Sequence, residues 1–249
     1  MSLLAYSFSS GIMLAALAAV YMLLMRNSTH FGLNRACLIV ILTVSLIAPF
    51  ISLPSLFADA PEVVAGKLTM TAVSDDATMT HYNTNIIKIL GIIYLIGVAL
   101  IAARTLANFG FIIYLRHNSR RKTFGPNTVI VHSHKNIPPM TWGGEIYISD
   151  ALLSADIAEL SLILAHEEAH RRKWHWVDLL LSNVVLAINW YNPAAWMLQH
   201  ELIAVHEYEA DRIASGQSGN QIQYQLLLIK KTAGSRFQAI ADSLNHSSL

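Results

Sequence analysis

Three long apolar runs dominate the first half of the chain: Leu3 to Met25, Ala36 to Phe57, and Ile86 to about Ala103. Each approaches the roughly 20 residues that an α-helix needs to cross about 30 Å of hydrocarbon. Lys88 lies one turn into the third run, where it can snorkel to the interface, and we expect this helix to continue so that Arg104 lies near the opposite interface. The pattern therefore predicts three membrane-spanning helices.

The first run has one feature of a secretory signal peptide, because Ala16-Leu17-Ala18 is a small-x-small sequence. However, no Lys or Arg precedes the run, and its first cation, Arg26, follows it. A signal peptide carries its positive charge before the apolar segment. We therefore expect an uncleaved membrane anchor.

The pattern changes after Arg116. Asn127 to His132 is a β-branched stretch, and Glu145 to Ser149 alternates polar and apolar residues. Gly143-Gly144 marks a turn, and Pro138-Pro139 bars one continuous central strand. This part of the sequence predicts a small β element of two strands.

The remainder of the chain has helical periodicity. The predicted helices begin with a cap at Ser154 and run through His166, then cover about Trp176 to Asn189, Pro193 to about Ser215, and Gln221 to Lys231. The apolar stretch from Leu179 to Trp190 is too short to span a bilayer, so we expect a buried helix or one that rests against the membrane. The predicted fold is mainly α, with a transmembrane region over 1–115 and a second domain over 116–249.

Composition agrees with a membrane protein: 54% of the residues are hydrophobic and only 13% are charged, against about 25% charged in an average soluble domain. The formal net charge of +1 argues against a nucleic-acid-binding protein and against an acidic disordered tail. The single cysteine, Cys37, excludes an intramolecular disulfide and a thiolate cluster. Any metal site must therefore use histidine and carboxylate ligands.

The distribution of charge between the apolar runs predicts the orientation. The first loop carries Arg26 and Arg35 without an acid, whereas the stretch from Ala58 to Asn85 carries four acids against Lys67. A basic group follows the third helix: Arg116, Arg120, Arg121 and Lys122. By the positive-inside rule, the first loop and the chain after residue 116 face the cytoplasm, and the N-terminus lies outside. Anionic lipid headgroups, rather than nucleic acid, are the expected partners of the basic group.

The sequence His166-Glu167-Glu168-Ala169-His170 lies on the helix that follows Ser154. Two histidines four residues apart share one helix face, so both imidazoles can bind one ion, with Glu167 beside them to activate water. This spacing predicts a zinc site with Glu167 as the general base.

A catalytic zinc ion usually takes three protein ligands, so another element should supply the third. We expect Glu207 to be this ligand and Asp211, four residues later, to accept a hydrogen bond from a ligating histidine, while Glu209 points elsewhere. The alternative third ligands are His175, His200, Glu201 and His206. Zinc is preferred because of the ligand types.

Taken together, His166 to His170, Trp190-Tyr191-Asn192-Pro193 and Glu207 to Asp211 resemble the membrane metallopeptidases of the BlaR/MecR antirepressor type. The resemblance extends over nearly the whole chain, including the three apolar helices, the basic juxtamembrane stretch and Trp142 before a strand. It implies three transmembrane helices followed by a helical, gluzincin-like zinc metallopeptidase domain with a small β element.

The resemblance also implies a function. In that family the zinc domain faces the cytoplasm and relays an external signal by proteolysis of a transcriptional repressor, so the expected localisation is the inner membrane and the expected partner is a cytosolic regulatory protein. By position, His166, His170 and Glu207 would be the zinc ligands and Glu167 the general base. The family usually continues into a fourth membrane helix and an external domain after a segment like Asn245 to Ser248. This sequence stops there, so we expect either a chain truncated before that helix or the absence of a sensor.

Substrate contacts are less constrained by the sequence. An edge formed by Thr141 to Ile148 could bind an extended peptide by β-augmentation, although a plain structural hairpin is an equal alternative. The candidates for stabilising the oxyanion are Tyr191, Tyr208, His200 and Arg212.

Two other functions fit the same sequence. A quality-control membrane metallopeptidase would share the zinc chemistry but cleave unfolded membrane proteins broadly. A non-catalytic membrane sensor or scaffold would keep a latent zinc site.

Overall fold

The computed structural model describes residues 3–25, 28–50, 77–124, 127–132, 137–154 and 157–217. The helix predicted over Gln221 to Lys231, the segment Asn245 to Ser248, Arg26 and the acidic side chains between Ala58 and Asn85 lie outside the described residues.

Three apolar helices form the first half of the described chain: α1 (Leu3–Leu24), α2 (Phe31–Ile47) and α3 (Ala77–His117). A 3-10 turn, Ala48–Phe50, extends α2. All three helices are long and apolar enough to cross a membrane, as predicted. The second helix begins at Phe31, five residues before the predicted Ala36. With 41 residues, α3 is about 60 Å long, so it extends well beyond one hydrocarbon layer.

The β element has four strands rather than the two that we predicted. They are β1 (Arg120–Phe124), β2 (Asn127–His132), β3 (Met140–Trp142) and β4 (Glu145–Ser149). Their order in the sheet is β1-β2-β4-β3, with β2 and β4 parallel and the outer strands antiparallel to their neighbours. The predicted segments became β2 and β4, whereas the charged β1 and the three-residue β3 were missed.

Three further helices follow the sheet: α4 (Ile157–Lys173), α5 (His175–Ile188) and α6 (Pro193–Gln217). A 3-10 turn over Asp150–Ser154 precedes α4. The helices agree closely with the predicted segments. Trp174 separates α4 from α5 in a left-handed conformation, with a φ angle of 58°.

The sheet lies between α4 and the end of α3. Alternate residues of a strand point to opposite faces. Val131 and Ile146 on one face pack against Leu164 of α4, whereas Ile130 and Tyr147 on the other face pack against Leu115 of α3. Both faces are therefore covered, and the sheet fixes α4 relative to the third apolar helix.

A second core joins the two halves of the chain. It combines Leu14 of α1 and Leu38 of α2 with Leu186 of α5 and Leu202 of α6, and all four side chains are fully buried or nearly so. Helices on both sides of the predicted boundary at residue 115 therefore contribute to this core.

The turn between α5 and α6 inserts among the apolar helices. Asn189 donates a hydrogen bond to Ser10 Oγ (3.2 Å), and Asn192 donates one to the Gly11 carbonyl (2.9 Å), both on α1. Tyr94 of α3 donates to the Ile188 carbonyl at the end of α5 (3.0 Å). One side of the apolar stretch from Leu179 is thus buried in the core of the apolar helices through Val185 and Leu186, whereas Val184 is 51% exposed.

Candidate metal centre

Two histidines on α4 face the same point. His166 and His170 are four residues apart, which places them one turn apart on one face of the helix. Their Nε2 atoms are 3.1 Å apart. Leu160 and Leu164 turn another face of α4 towards the sheet, so the helix is held in one rotation about its axis.

Glu207 of α6 completes the group. Its Oε2 lies 3.6 Å from His166 Nε2, and its Oε1 lies 3.6 Å from His170 Nε2. Leu162 of α4 and Ala214 of α6 are buried together, which keeps the two helices in contact. Within the described residues, the group that could hold a metal ion consists of His166, His170 and Glu207, with ligand atoms within 4.8 Å of one another.

These separations fit a zinc ion. With zinc–nitrogen and zinc–oxygen distances of about 2.0–2.2 Å, tetrahedral ligand atoms lie roughly 3.3–3.5 Å apart. The two Nε2 atoms are 3.1 Å apart, and each lies 3.6 Å from a different oxygen of Glu207, so the individual distances are close to that range. Two imidazoles and one carboxylate are also a usual ligand set for catalytic zinc.

Asp211 holds His166 from behind, as predicted for a carboxylate one turn after Glu207. Its Oδ1 accepts a hydrogen bond from His166 Nδ1 at 2.9 Å. A carboxylate only accepts, so the proton of His166 belongs on Nδ1 when the ring is neutral. The lone pair of Nε2 then faces Glu207.

His170 is held by a second relay that we did not predict. Its Nδ1 lies 2.8 Å from His175 Nδ1, and His175 Nε2 lies 3.3 Å from Glu209 Oε2. Glu209 only accepts, so His175 donates from Nε2 and accepts at Nδ1. His170 must therefore donate from Nδ1, which leaves its Nε2 lone pair towards Glu207.

The alternative ligands have other roles or lie outside the group. His175 contacts His170 on the nitrogen remote from Glu207, and the left-handed turn at Trp174 brings it back towards α4. His206 is buried and lies 2.9 Å from Asp178 Oδ2. Glu209 points away from the three-residue group, as expected, but towards His175.

The two metal-facing imidazoles differ in basicity. Burial lowers the pKa of His166, but the hydrogen bonds that its ring donates to Asp211 and Glu207 outweigh burial and raise the pKa to about 9. Burial, followed by the charge of His166, lowers the pKa of His170 to about 4. The hydrogen bond that Glu207 accepts from His166 lowers the pKa of Glu207. A metal ion binds neutral imidazole, so it would displace the proton that His166 holds.

Glu167, the predicted general base, is fixed by a strand. Thr141 of β3 donates its hydroxyl to Glu167 Oε2 (2.8 Å) and also lies 2.9 Å from the Glu167 carbonyl oxygen. Only 7% of Glu167 is exposed. This contact could not be predicted from the sequence, because it joins residues on two separate elements.

Only part of the segment Thr141 to Ile148, which we expected to bind a substrate peptide, lies at the edge of the sheet. Met140–Trp142 is the outer strand of the sheet, whereas Glu145–Ser149 lies between β2 and β3. Because Thr141 contacts Glu167, β3 runs beside the motif on α4. Among the described strands, β4 is paired on both sides and β3 on one side.

Three of the four side chains that we considered for stabilising the oxyanion contact residues of α1 or α2. Tyr191 donates to the Ser7 carbonyl oxygen of α1 at 2.9 Å. Tyr208 stacks on Phe31 of α2 at 5.4 Å, and Arg212 lies 5.7 Å from the same ring. His200 is exposed. We assign the oxyanion role to none of them.

The sequence matches no protein-family model, and a comparison with curated proteins finds no match. The function is therefore inferred from the residues of the chain and their geometry.

Proposed function

We propose that the protein is an integral membrane zinc endopeptidase that cleaves a cytosolic regulatory protein, such as a transcriptional repressor, in signal transduction. One observation carries the proposal: His166 and His170 direct their Nε2 atoms towards Glu207 of another helix, while Glu167 lies on the same turn and is held by an edge strand. The resemblance to BlaR/MecR-type antirepressor metallopeptidases supports the choice of substrate.

The residues have separate roles in the proposed reaction. His166, His170 and Glu207 would hold a zinc ion, which supplies a Lewis acid for the peptide carbonyl and makes water nucleophilic near neutral pH. Glu167 accepts the proton of the attacking water and later gives it to the leaving amine. Thr141 keeps the Glu167 carboxylate in one position during both transfers.

The substrate would bind as an extended strand along β3. Backbone hydrogen bonds to an outer strand orient a peptide without requiring a particular sequence. The three residues of Met140–Trp142 offer only a short edge. Discrimination between substrates would then come from side chains around that edge and from access at the membrane surface.

The charges and the helical core support a position in the membrane. We infer that α1 to α3 cross the inner membrane with the N-terminus outside and α4 on the cytoplasmic side, in accordance with the basic residues after α3. The α5–α6 turn bonds to Ser10 and Gly11 in the outer half of α1. In this arrangement α5, about 21 Å long, runs from the cytoplasmic surface into the bilayer as one arm of a re-entrant hairpin.

The test compares proteomes of cells that make the wild type, Glu167→Gln or a matched control, Glu159→Gln, which changes another glutamate on α4. We expect a cytosolic protein fragment with the wild type and the control but not with Glu167→Gln, although all three bind equal zinc. Many membrane-protein fragments instead of one regulator would favour quality control. Identical proteomes with zinc retained would contradict the enzyme and favour a scaffold.

A further inference from the structure

A cation of the second apolar helix reaches the network behind the metal group. Arg35 lies in the second turn of α2, and its Nε is 2.7 Å from Asp178 Oδ2 of α5. Its Nη2 donates to the Lys173 carbonyl oxygen at 2.6 Å, and its Nη1 is 3.6 Å from Glu209 Oε2. One guanidinium therefore joins α2 to the end of α4, the first turn of α5 and the interior of α6.

Glu209 is the member of this network that leads to the metal group. Its side chain is only 2% exposed and is also 2.8 Å from Lys173 Nζ. The same Oε2 that faces Arg35 faces His175, and His175 in turn contacts His170. Three short steps thus connect the membrane helix α2 to one of the residues that would bind zinc.

We propose that Arg35 is a positioning residue, which sets the orientation of His170 through Glu209 and His175. The affinity for the metal ion then depends on the position of α2 relative to α6. This inference rests on the proposed zinc site. A buried carboxylate keeps its charge and place only when it is paired. Lys173 of α4 pairs with Glu209 Oε1, and Arg35 is the partner of Oε2 that comes from a membrane helix. Because Oε2 is also the oxygen that faces His175, a displacement of α2 would reach His170 without any change in the ligands themselves.

The shape of the arginine side chain allows its effect on His170 to be separated from its effect on the orientation of α2 in the membrane. Arg35 contacts acceptors on α4, α5 and α6, and a lysine ammonium cannot span them in the same geometry. Lysine nevertheless keeps the positive charge that orients the first loop in the membrane. Arg35→Lys therefore separates positioning of the metal ligand from insertion of the helix.

The experiment measures the zinc dissociation constant of the purified full chain by chelator competition. We expect Arg35→Lys and Glu209→Gln each to weaken zinc binding about tenfold, the usual scale for residues behind a metal ligand. The double variant should bind no more weakly than the weaker single variant, because both act through one chain of contacts. Arg104→Lys, an exposed arginine on α3, is the matched control and should bind as the wild type does.

Thermal unfolding of each variant without zinc shows whether it is folded. If Arg35→Lys does not fold, Asp178→Asn removes the shorter of the two ion pairs of the guanidinium and should weaken zinc binding in the same direction. Wild-type affinity in Arg35→Lys, or in Asp178→Asn, would overturn the inference, as would independent, multiplying effects of Arg35→Lys and Glu209→Gln. A wild-type chain that binds no zinc would instead overturn the proposed function.

Discussion

Each of the two histidines that face Glu207 is oriented by a different α6 carboxylate. Asp211 bonds directly to His166, whereas Glu209 acts on His170 through His175. Both contacts put the ring proton on Nδ1 and free Nε2 for a metal ion. The tautomer and orientation of both histidines are therefore set by residues that would not contact the ion.

Replacement of Asp211 by alanine should weaken zinc binding roughly 10- to 100-fold, because His166 loses the group that fixes its tautomer. Chelator competition on the purified chain measures the change. Glu201→Ala, on the same helix but outside the three-residue group, is the control. Equal zinc affinity in Asp211→Ala and the control would show that Asp211 does not orient His166.

Replacement of Thr141 by valine should lower kcat by at least about tenfold without a change in zinc content. A hydrogen bond to a charged group contributes roughly 1.5–3 kcal/mol, and about 1.4 kcal/mol corresponds to a factor of ten in rate. Cleavage of a peptide spanning the proteomically identified site measures kcat. Thr141→Ser should restore activity and Thr123→Val on β1 should leave it unchanged; full activity in Thr141→Val would refute the positioning of Glu167.

The sequence predicted the residues that share a four-residue spacing, on α4 and on α6, but not the contacts of residues that lack such a spacing. His166 and His170 follow from helix geometry alone, and Glu207 with Asp211 follows from the same four-residue period on a later helix. Thr141 and Arg35 reach α4 and α6 only through the tertiary fold. His175 could not be placed because its direction depends on the turn at Trp174.

At the scale of elements, α3 and the α5–α6 turn fit closely at one glycine. A Cβ atom on Gly97 would overlap the ring of Trp190, whereas one on Gly110 would meet nothing within 4 Å. Trp190 also donates to the Tyr94 carbonyl oxygen at 3.2 Å. The hairpin therefore depends on the absence of a side chain at Gly97.

Gly97→Ala should lower the free energy of unfolding by roughly 1–3 kcal/mol, the usual cost of overpacking. Gly110→Ala is the matched control, and its higher helix propensity should leave stability unchanged or raise it by up to about 1 kcal/mol. Thermal unfolding of both variants in one detergent measures the difference. Equal melting temperatures would contradict the packing of Trp190 on α3.

Element type was easier to predict than strand number. The β-branched run of β2 and the alternation of β4 are typical strand patterns. In contrast, β1 has the sequence Arg-Arg-Lys-Thr-Phe, which resembles a solvated basic loop, and forms a strand because it pairs with β2. The short β3 likewise depends on pairing with β4.

The proposed re-entrant hairpin predicts the accessibility of α5. Val184 is 51% exposed in the structure and should face lipid, whereas the Arg172 side chain is 65% exposed and should face the cytoplasm. In a chain with Cys37 replaced by serine, a membrane-impermeant maleimide should label Arg172→Cys in inside-out vesicles but not Val184→Cys. Equal labelling of Arg172→Cys and Val184→Cys in these inside-out vesicles would place α5 in water.

At the scale of the whole molecule, one helical core links the apolar helices to the metal group. Leu38 of α2 and Leu202 of α6 share that core. Arg35 and Glu209, on the same two helices, lie 3.6 Å apart. The sheet holds α4 from its other side through Leu164. A change in the packing of the membrane helices therefore has a short path to the proposed zinc ligands.

Zinc K-edge X-ray absorption of the purified full chain tests the central claim most directly. We expect about one zinc ion per chain, with two imidazoles and oxygen ligands at about 2.0–2.2 Å, and the loss of this spectrum in a His166→Ala, His170→Ala double variant. A chain that retains no zinc, or zinc whose spectrum shows no imidazole and survives the double substitution, would contradict the account.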